Sequence, residues 1–160
     1  LTGSVQTGGD YLRDGQLDMA MRRFNQAWLL APDNVMALWG MALVEMGRSR
    51  AKSSLELFRE AALRMPSNIE LQVGAASAKS VVANETGDQT LNEEAWADFK
   101  RINEADPTNS LILEAWAASY FFSQRYKDAW DVVTLAEKTP GASRLDDRFI
   151  QALGRRMPRP

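Results

Sequence analysis

The sequence has no cysteine and no histidine. That double absence removes disulfides, thiolate and imidazole zinc sites, cysteine nucleophiles and histidine general bases together. It leaves the compartment open, because a cysteine-free chain suits a periplasm as well as a cytosol. Charge of one sign is also lacking. There are 19 Lys+Arg against 21 Asp+Glu, a net charge of −2, without the basic stripe of a nucleic-acid binder. The one basic cluster, Arg155, Arg156 and Arg159, reads as a solubilising tail. No run of 18 apolar residues occurs, so no membrane span is expected. The adjacent acidic pairs Glu93-Glu94 and Asp146-Asp147 diverge on a helix instead of converging on one substrate. A Gly-rich phosphate loop and metal-ligand spacings are absent as well. The expectation is a chain that is not an enzyme and takes no cofactor or metal.

What the sequence does have is a core and a step. Its 160 residues are 45% apolar, enough for one domain with a sizeable core. Phe24 to Phe58, Ala27 to Ala61, Pro32 to Pro66 and Ala20 to Ser54 are all separated by 34 residues. Phe58 to Phe99, Ala61 to Ile102 and Pro66 to Pro107 step by 41, and Phe99 to Val133, Ile102 to Ala136 and Ala95 to Ala129 return to 34. Upstream, Gly8, Ala42 and Ala76 step by 34, and Ala76 to Ala117 by 41. Seven extra residues therefore lie between Ala76 and Ala95, in the polar stretch 84–91, read as a loop that is either decoration or a second contact surface.

Within each step the apolar residues recur at helical spacing, as in Ala20, Phe24, Ala27 and Leu30. Proline closes each unit, at Pro32, Pro66, Pro107 and Pro140, because it disfavours helix in the residue before it. Expected upstream helices are 4–14, 35–48, 69–83 and 110–124; downstream helices are 17–31, 51–65, 92–105 and 127–138. Thr90 and Glu93 form the expected capping box after the insert. Gly3, Gly8 and Gly9, at about 1 kcal/mol each against alanine, make the first helix the weakest. In the tail, Leu145, Phe149, Ile150 and Leu153 line one face; Ser143 with Asp146 is expected to cap its start and Gly154 its end.

A 34-residue step of small residues, an aromatic and a proline resembles the tetratricopeptide repeat. The resemblance covers about residues 1–141 and is carried by GQLDMAMRRFNQAWLLAPDN (Gly15 to Asn34) and its recurrences SLELFREAALRMPSN, EEAWADFKRINEADPTN and KDAWDVVTLAEKTPG. It implies an all-α, right-handed α-solenoid of four helical hairpins. The units would be 1–34, 35–68, 69–109 with the insert, and 110–141, in a single domain. A capping helix at 143–157 would cover the apolar end or dock in the groove.

The resemblance also implies a concave groove lined by the upstream helices. Carried over position by position, its peptide-binding residues are Met36, Trp39, Leu43, Met46, Glu70, Val73, Ser77, Glu114 and Phe121. The family's clamp for a terminal carboxylate needs cations that this sequence lacks. The matching positions are Val5, Gly9, Gly40, Glu70 and Gly74, or, one repeat on, Trp39, Leu43, Gly74, Leu111 and Ala115. A carboxylate there would be buried unpaired, so the clamp is rejected. The remaining surface, rich in Met, Trp, Leu, Val and Phe, suits an apolar segment of a partner protein. Trp39 either faces that partner or packs on its neighbour. Glu70 and Glu114 are either solvated or favour a basic ligand residue, and Gly40 and Gly74 serve close approach of a ligand or tight helix packing.

The functional expectation is a non-catalytic interaction scaffold. A homodimer using the same apolar surface, or a chaperone for secreted apolar substrates, are the alternatives. Short pure-repeat chains of this kind resemble bacterial envelope scaffolds. Leu1-Thr2-Gly3-Ser4 is similar to a lipoprotein cleavage box, with serine where the modified cysteine belongs. A periplasmic or envelope location and a cytoplasmic one both stand.

Overall fold

The computed structural model describes residues 2–160, with side chains from residue 3 onward. Leu1, the first residue of the lipobox-like stretch, lies outside the described residues. Among these there are nine α-helices and no strand, so the all-α class expected from the 3.6-residue periodicity is the class observed. The chain divides into two compact units, Leu1–Lys79 and Ser80–Pro160.

The first unit holds α1 (Thr2–Arg13), α2 (Leu17–Leu30), α3 (Val35–Gly47), α4 (Ala51–Arg64) and the start of α5 (Ile69–Thr86). The pairs α1/α2 and α3/α4 are hairpins, and α3 also packs on α2 and α1. The repeat columns are the core: Ala20, Phe24 and Ala27 of α2 and Ser54, Phe58 and Ala61 of α4 are all buried. Serine is tolerated in that column because its hydroxyl donates to the Ala42 carbonyl at 2.8 Å, which offsets the cost of burying it.

Glycine is what lets the phenylalanines in. A Cβ built on Gly40 would overlap the Phe24 ring, one on Gly74 would overlap the Phe58 ring, and one on Gly8 would come within 2.8 Å of Phe24. The Gly40/Gly74 pair therefore serves helix packing, one of its two expected roles. Gly8 gives the glycine-rich α1 a packing reason for one of its three glycines; Gly3 and Gly9 face open space.

Three of the four prolyl stops, Pro32, Pro66 and Pro107, are followed two residues later by asparagine, and that asparagine caps the next helix. The Asn34 Oδ1 accepts from the amides of Met36 and Ala37 at 3.1 and 3.3 Å. Asn68 accepts from Leu71 at 3.0 Å and Asn109 from Leu111 at 3.1 Å. Proline ends one helix and asparagine satisfies an orphan amide of the next.

The second unit holds the end of α5, α6 (Gln89–Ala105), α7 (Ser110–Phe122), α8 (Tyr126–Lys138) and α9 (Asp147–Arg156). Here the insert corrects the expectation of a polar loop. α5 and α6 have 18 and 17 residues against 13 and 14 for α3 and α4. That is eight more helical residues, with a connection one residue shorter. Seven residues make about two helical turns. Divided between two antiparallel helices, they add one turn to each and keep both apolar faces in phase. Gly87, at φ +71°, turns the chain, and the cap is Asp88, whose carboxylate accepts from the Leu91 amide at 3.0 Å. The expected Thr90/Glu93 box is already inside α6.

The ninth helix also differs from expectation. After Pro140 the sequence has Gly141-Ala142 where the other units have asparagine in the second place, so no side chain caps a helix there. α9 starts instead behind Asp146, which accepts from the Arg148 amide at 2.7 Å. It runs through Gly154, the expected stop, to Arg156, because Gly154 stays in the helical conformation beside Trp130.

Candidate functional site

In the first unit the candidate site is one face of α3. This helix, VMALWGMALVEMG, carries a single charge, Glu45, and that residue is buried. The Glu45 carboxylate is matched from the following turn, by Arg48 at 2.9 Å and Arg50 at 3.7 Å. Arg48 also reaches Asp18 on α2 at 2.5 Å. Hydrogen bonds to Asp18 and then Glu45 raise the Arg48 guanidinium above its ordinary pKa. A helix apolar all round is normally buried all round. Here Ala37, Leu38, Met41, Ala42 and Val44 are buried, yet Met36 and Leu43 are 41% and 37% exposed. Trp39 and Met46 beside them are half-buried. The four residues occupy an arc of about 80° at about 100° per residue. The structure thus brings Met36, Trp39, Leu43 and Met46 onto one accessible apolar stripe.

The other expected residues lie on α5 and α7. On α5, Glu70 is exposed and Ser77 half-buried. Val73 is only 4% exposed, so it belongs to the core and not to an open surface. In the second unit Glu114 is exposed on α7. Neither glutamate has an ion-pair partner among the described residues. Phe121 is half-buried in an aromatic cluster, with ring centroids 5.6 Å from Tyr126, 5.5 Å from Phe122 and 5.7 Å from Phe149 of α9. Part of its surface is thus taken up by the chain's own packing.

Sequence reasoning missed a buried polar network in the second unit. The Ser80 hydroxyl donates to Asn92 Oδ1 at 3.1 Å and lies 2.7 Å from the Ser119 hydroxyl. The Trp96 indole N–H donates to Ser119 at 3.0 Å. Asn92 and Ser123 both donate to Asn84 Oδ1 at 2.9 Å. Asn84 sits in the turn that the insert adds to α5, and Asn92 follows the inserted stretch on α6, so the network fastens that turn to α7. Trp96 stacks at 4.8 Å from Tyr120, whose phenol burial pushes up, and carries the Arg125 guanidinium 5.1 Å over its ring. The signal available in the sequence was the 34-residue step from Trp96 to Trp130.

A shallow pocket of about 430 Å³ in the first unit is lined by Gly15, Gln16, Leu17, Asp18, Met19 and Arg48. Its cation is already engaged by Asp18 and Glu45. No group of three or more acidic, cysteine or histidine side chains that could hold a metal lies among the described residues. None of the described helices is long and apolar enough to cross a membrane.

This geometry is that of tetratricopeptide-repeat proteins. TTC0263, a thermophilic TPR protein of Thermus thermophilus, superposes with a TM-score of 0.78 at 17% identity, over 97% of this chain and 80% of that one. A tetratricopeptide repeat protein of Parabacteroides merdae gives 0.64 at 18% identity, over 97% and 59%. MamA AMB-1 gives 0.61 at 20% identity, over 89% and 74%. At such identities the likeness establishes the fold. No protein-family model matches the sequence. Over 114 residues it is 33% identical to the protein CTR9 homolog of Arabidopsis thaliana, a stretch that is 69% of this chain and 10% of that protein. The chain thus spans about a tenth of the length of that curated relative.

Proposed function

We propose that the chain is a member of the tetratricopeptide family, with repeats at 1–34, 35–68, 69–109 and 110–141. It acts as a non-catalytic scaffold whose α3 stripe takes an apolar segment of a partner protein. The observation that carries this is the exposure of Met36 and Leu43 on a helix with no charge at its surface. Leaving that stripe in water costs about 25 cal/mol per Å² of apolar area, and a partner segment recovers that cost. Methionines at both ends let the stripe adjust to the shape of what it meets, and Trp39 supplies the large, stiff contact typical of a binding hot spot. Glu70, exposed and without an ion-pair partner among the described residues, favours a basic residue on the partner segment. The repeat-protein neighbours support an interaction role in general terms.

The test uses peptides selected by display against the wild-type chain. Trp39→Ala and Leu43→Asp are each expected to weaken their binding about 5- to 150-fold, or about 1–3 kcal/mol, with the thermal melt of the free chain unchanged. Retained affinity in both variants defeats the proposal. A parallel loss of stability shows the stripe to be core. Sedimentation that reveals a wild-type dimer, dissociated by Leu43→Asp, makes a second copy the occupant.

A further inference from the structure

α9 is held differently from the helices before it. It has ten residues, below the roughly 12–15 at which a helix stands alone in water, so its helicity depends on docking. Leu153 is its one buried residue. The chain reaches it through residues 139–146, which form no helix and are pinned by the buried Leu145. Its polar fastenings lie beyond its own end. The Trp130 indole N–H of α8 donates to the Met157 carbonyl at 3.0 Å. The Arg159 guanidinium lies 5.4 Å over the Trp130 ring. It donates to both Glu137 carboxylate oxygens, at 3.2 and 2.6 Å, and to the Thr134 hydroxyl at 3.1 Å.

We propose that α9 is a lid on the α7–α8 hairpin, latched by Arg159 on Glu137 and Trp130, and that it opens while the rest of the second unit stays folded. Three features of the geometry point this way. The core beneath, with Leu113, Ala117, Val132, Val133 and Ala136, is built by α7 and α8 themselves. Leu145 and Leu153 join it from one segment, which can leave as a unit. The latch is a single side chain that makes the charged hydrogen bonds of the tail to α8 among the described residues, with Arg144 adding a through-space attraction to Glu137, and its ion pair is partly exposed, at 45% and 32%. Solvent and salt therefore reach the contact that holds the lid shut. Opening uncovers the side of Phe121 against which Phe149 packs. The inference concerns the second unit alone and stands apart from the reading of α3.

Native-state hydrogen exchange of the whole chain tests this, using wild type, Arg159→Ala and Glu137→Gln at low and high sodium chloride. The α9 amides are expected to exchange at least tenfold faster in both variants, with α8 amides within twofold of wild type. High salt should accelerate α9 in wild type and have little further effect in Arg159→Ala. A second readout exploits the absence of cysteine. The buried thiol of Leu153→Cys should react with Ellman's reagent at least tenfold faster once Arg159→Ala is added. Exchange of α9 in step with α8 in every variant overturns the lid. Acceleration of α8 to the same degree as α9 does so too, since Arg159 would then hold the whole unit. Labelling unchanged by Arg159→Ala overturns the latch.

Discussion

The two units build the same hairpin in two different ways. In the first, a phenylalanine from each downstream helix presses against glycine on an upstream helix, Phe24 on Gly8 and Gly40, Phe58 on Gly74. The fit is steric, and it depends on a missing methyl group. In the second, the upstream helix has no glycine. Its contacts run through Ser119, bonded to Trp96 and close to Ser80, and through the Phe121 cluster. The fit there is made by directed polar bonds and ring edges. The lesson is that a repeat constrains where helices meet and not the chemistry by which they do so. Glycine permits closer approach but no direction. A serine–indole bond gives direction, and leaves buried groups exposed to penalty if any partner is lost.

That contrast can be broken at its sharpest points. The largest effect is expected in the first unit. Gly40→Ala should destabilise the chain by about 1–3 kcal/mol, the usual cost of overpacking a filled core, and Gly74→Ala by a similar amount. Combining Gly40→Ala with Phe24→Leu should recover part of the loss in a double-mutant cycle by denaturant melts; strict additivity would mean that ring and glycine do not press on each other. A second effect of about 1–3 kcal/mol is expected from Ser119→Ala, which strands the buried Trp96 N–H. Trp96→Phe should cost less when Ser119→Ala is already present, and equal costs in both backgrounds would show that the network carries no coupling. The smallest effect should be the same in both units. Ser49 and Gln124 hold equivalent turn positions, 75 residues apart, each at φ 58°. Left-handed backbone costs a side-chain-bearing residue about 1 kcal/mol, so Ser49→Gly and Gln124→Gly should each stabilise by a few tenths to about 1 kcal/mol. A gain in one unit only would mean that the turn is strained by its surroundings and not by its own dihedrals.

Legibility follows the same division. The helices, their order and the repeat columns could be read because each rests on local periodicity, and Phe24, Phe58 and Phe99 all proved buried. The caps could have been read, since Pro32, Pro66 and Pro107 are each followed by asparagine two residues later. The insert was misread because a polar stretch of seven residues looks like a loop until two antiparallel helices divide it. Trp39, Met46 and Phe121 were undecidable as side chains alone. An aromatic at helical spacing looks the same whether water or Phe149 lies against it.

By itself the sequence determined the number and kind of helices, the stops that proline marks, and the lack of any thiol or imidazole chemistry. These depend on neighbouring residues along the chain. Tertiary structure alone decided which apolar residues are spent on the chain's own packing and which are left over. Val73 was taken into the interior and Phe121 was half-covered by Phe149 and its neighbours, while Met36 and Leu43 were left in water. The physical reason is that burial is a property of what arrives from another helix, and an all-apolar helix such as α3 carries no mark of which face that will be.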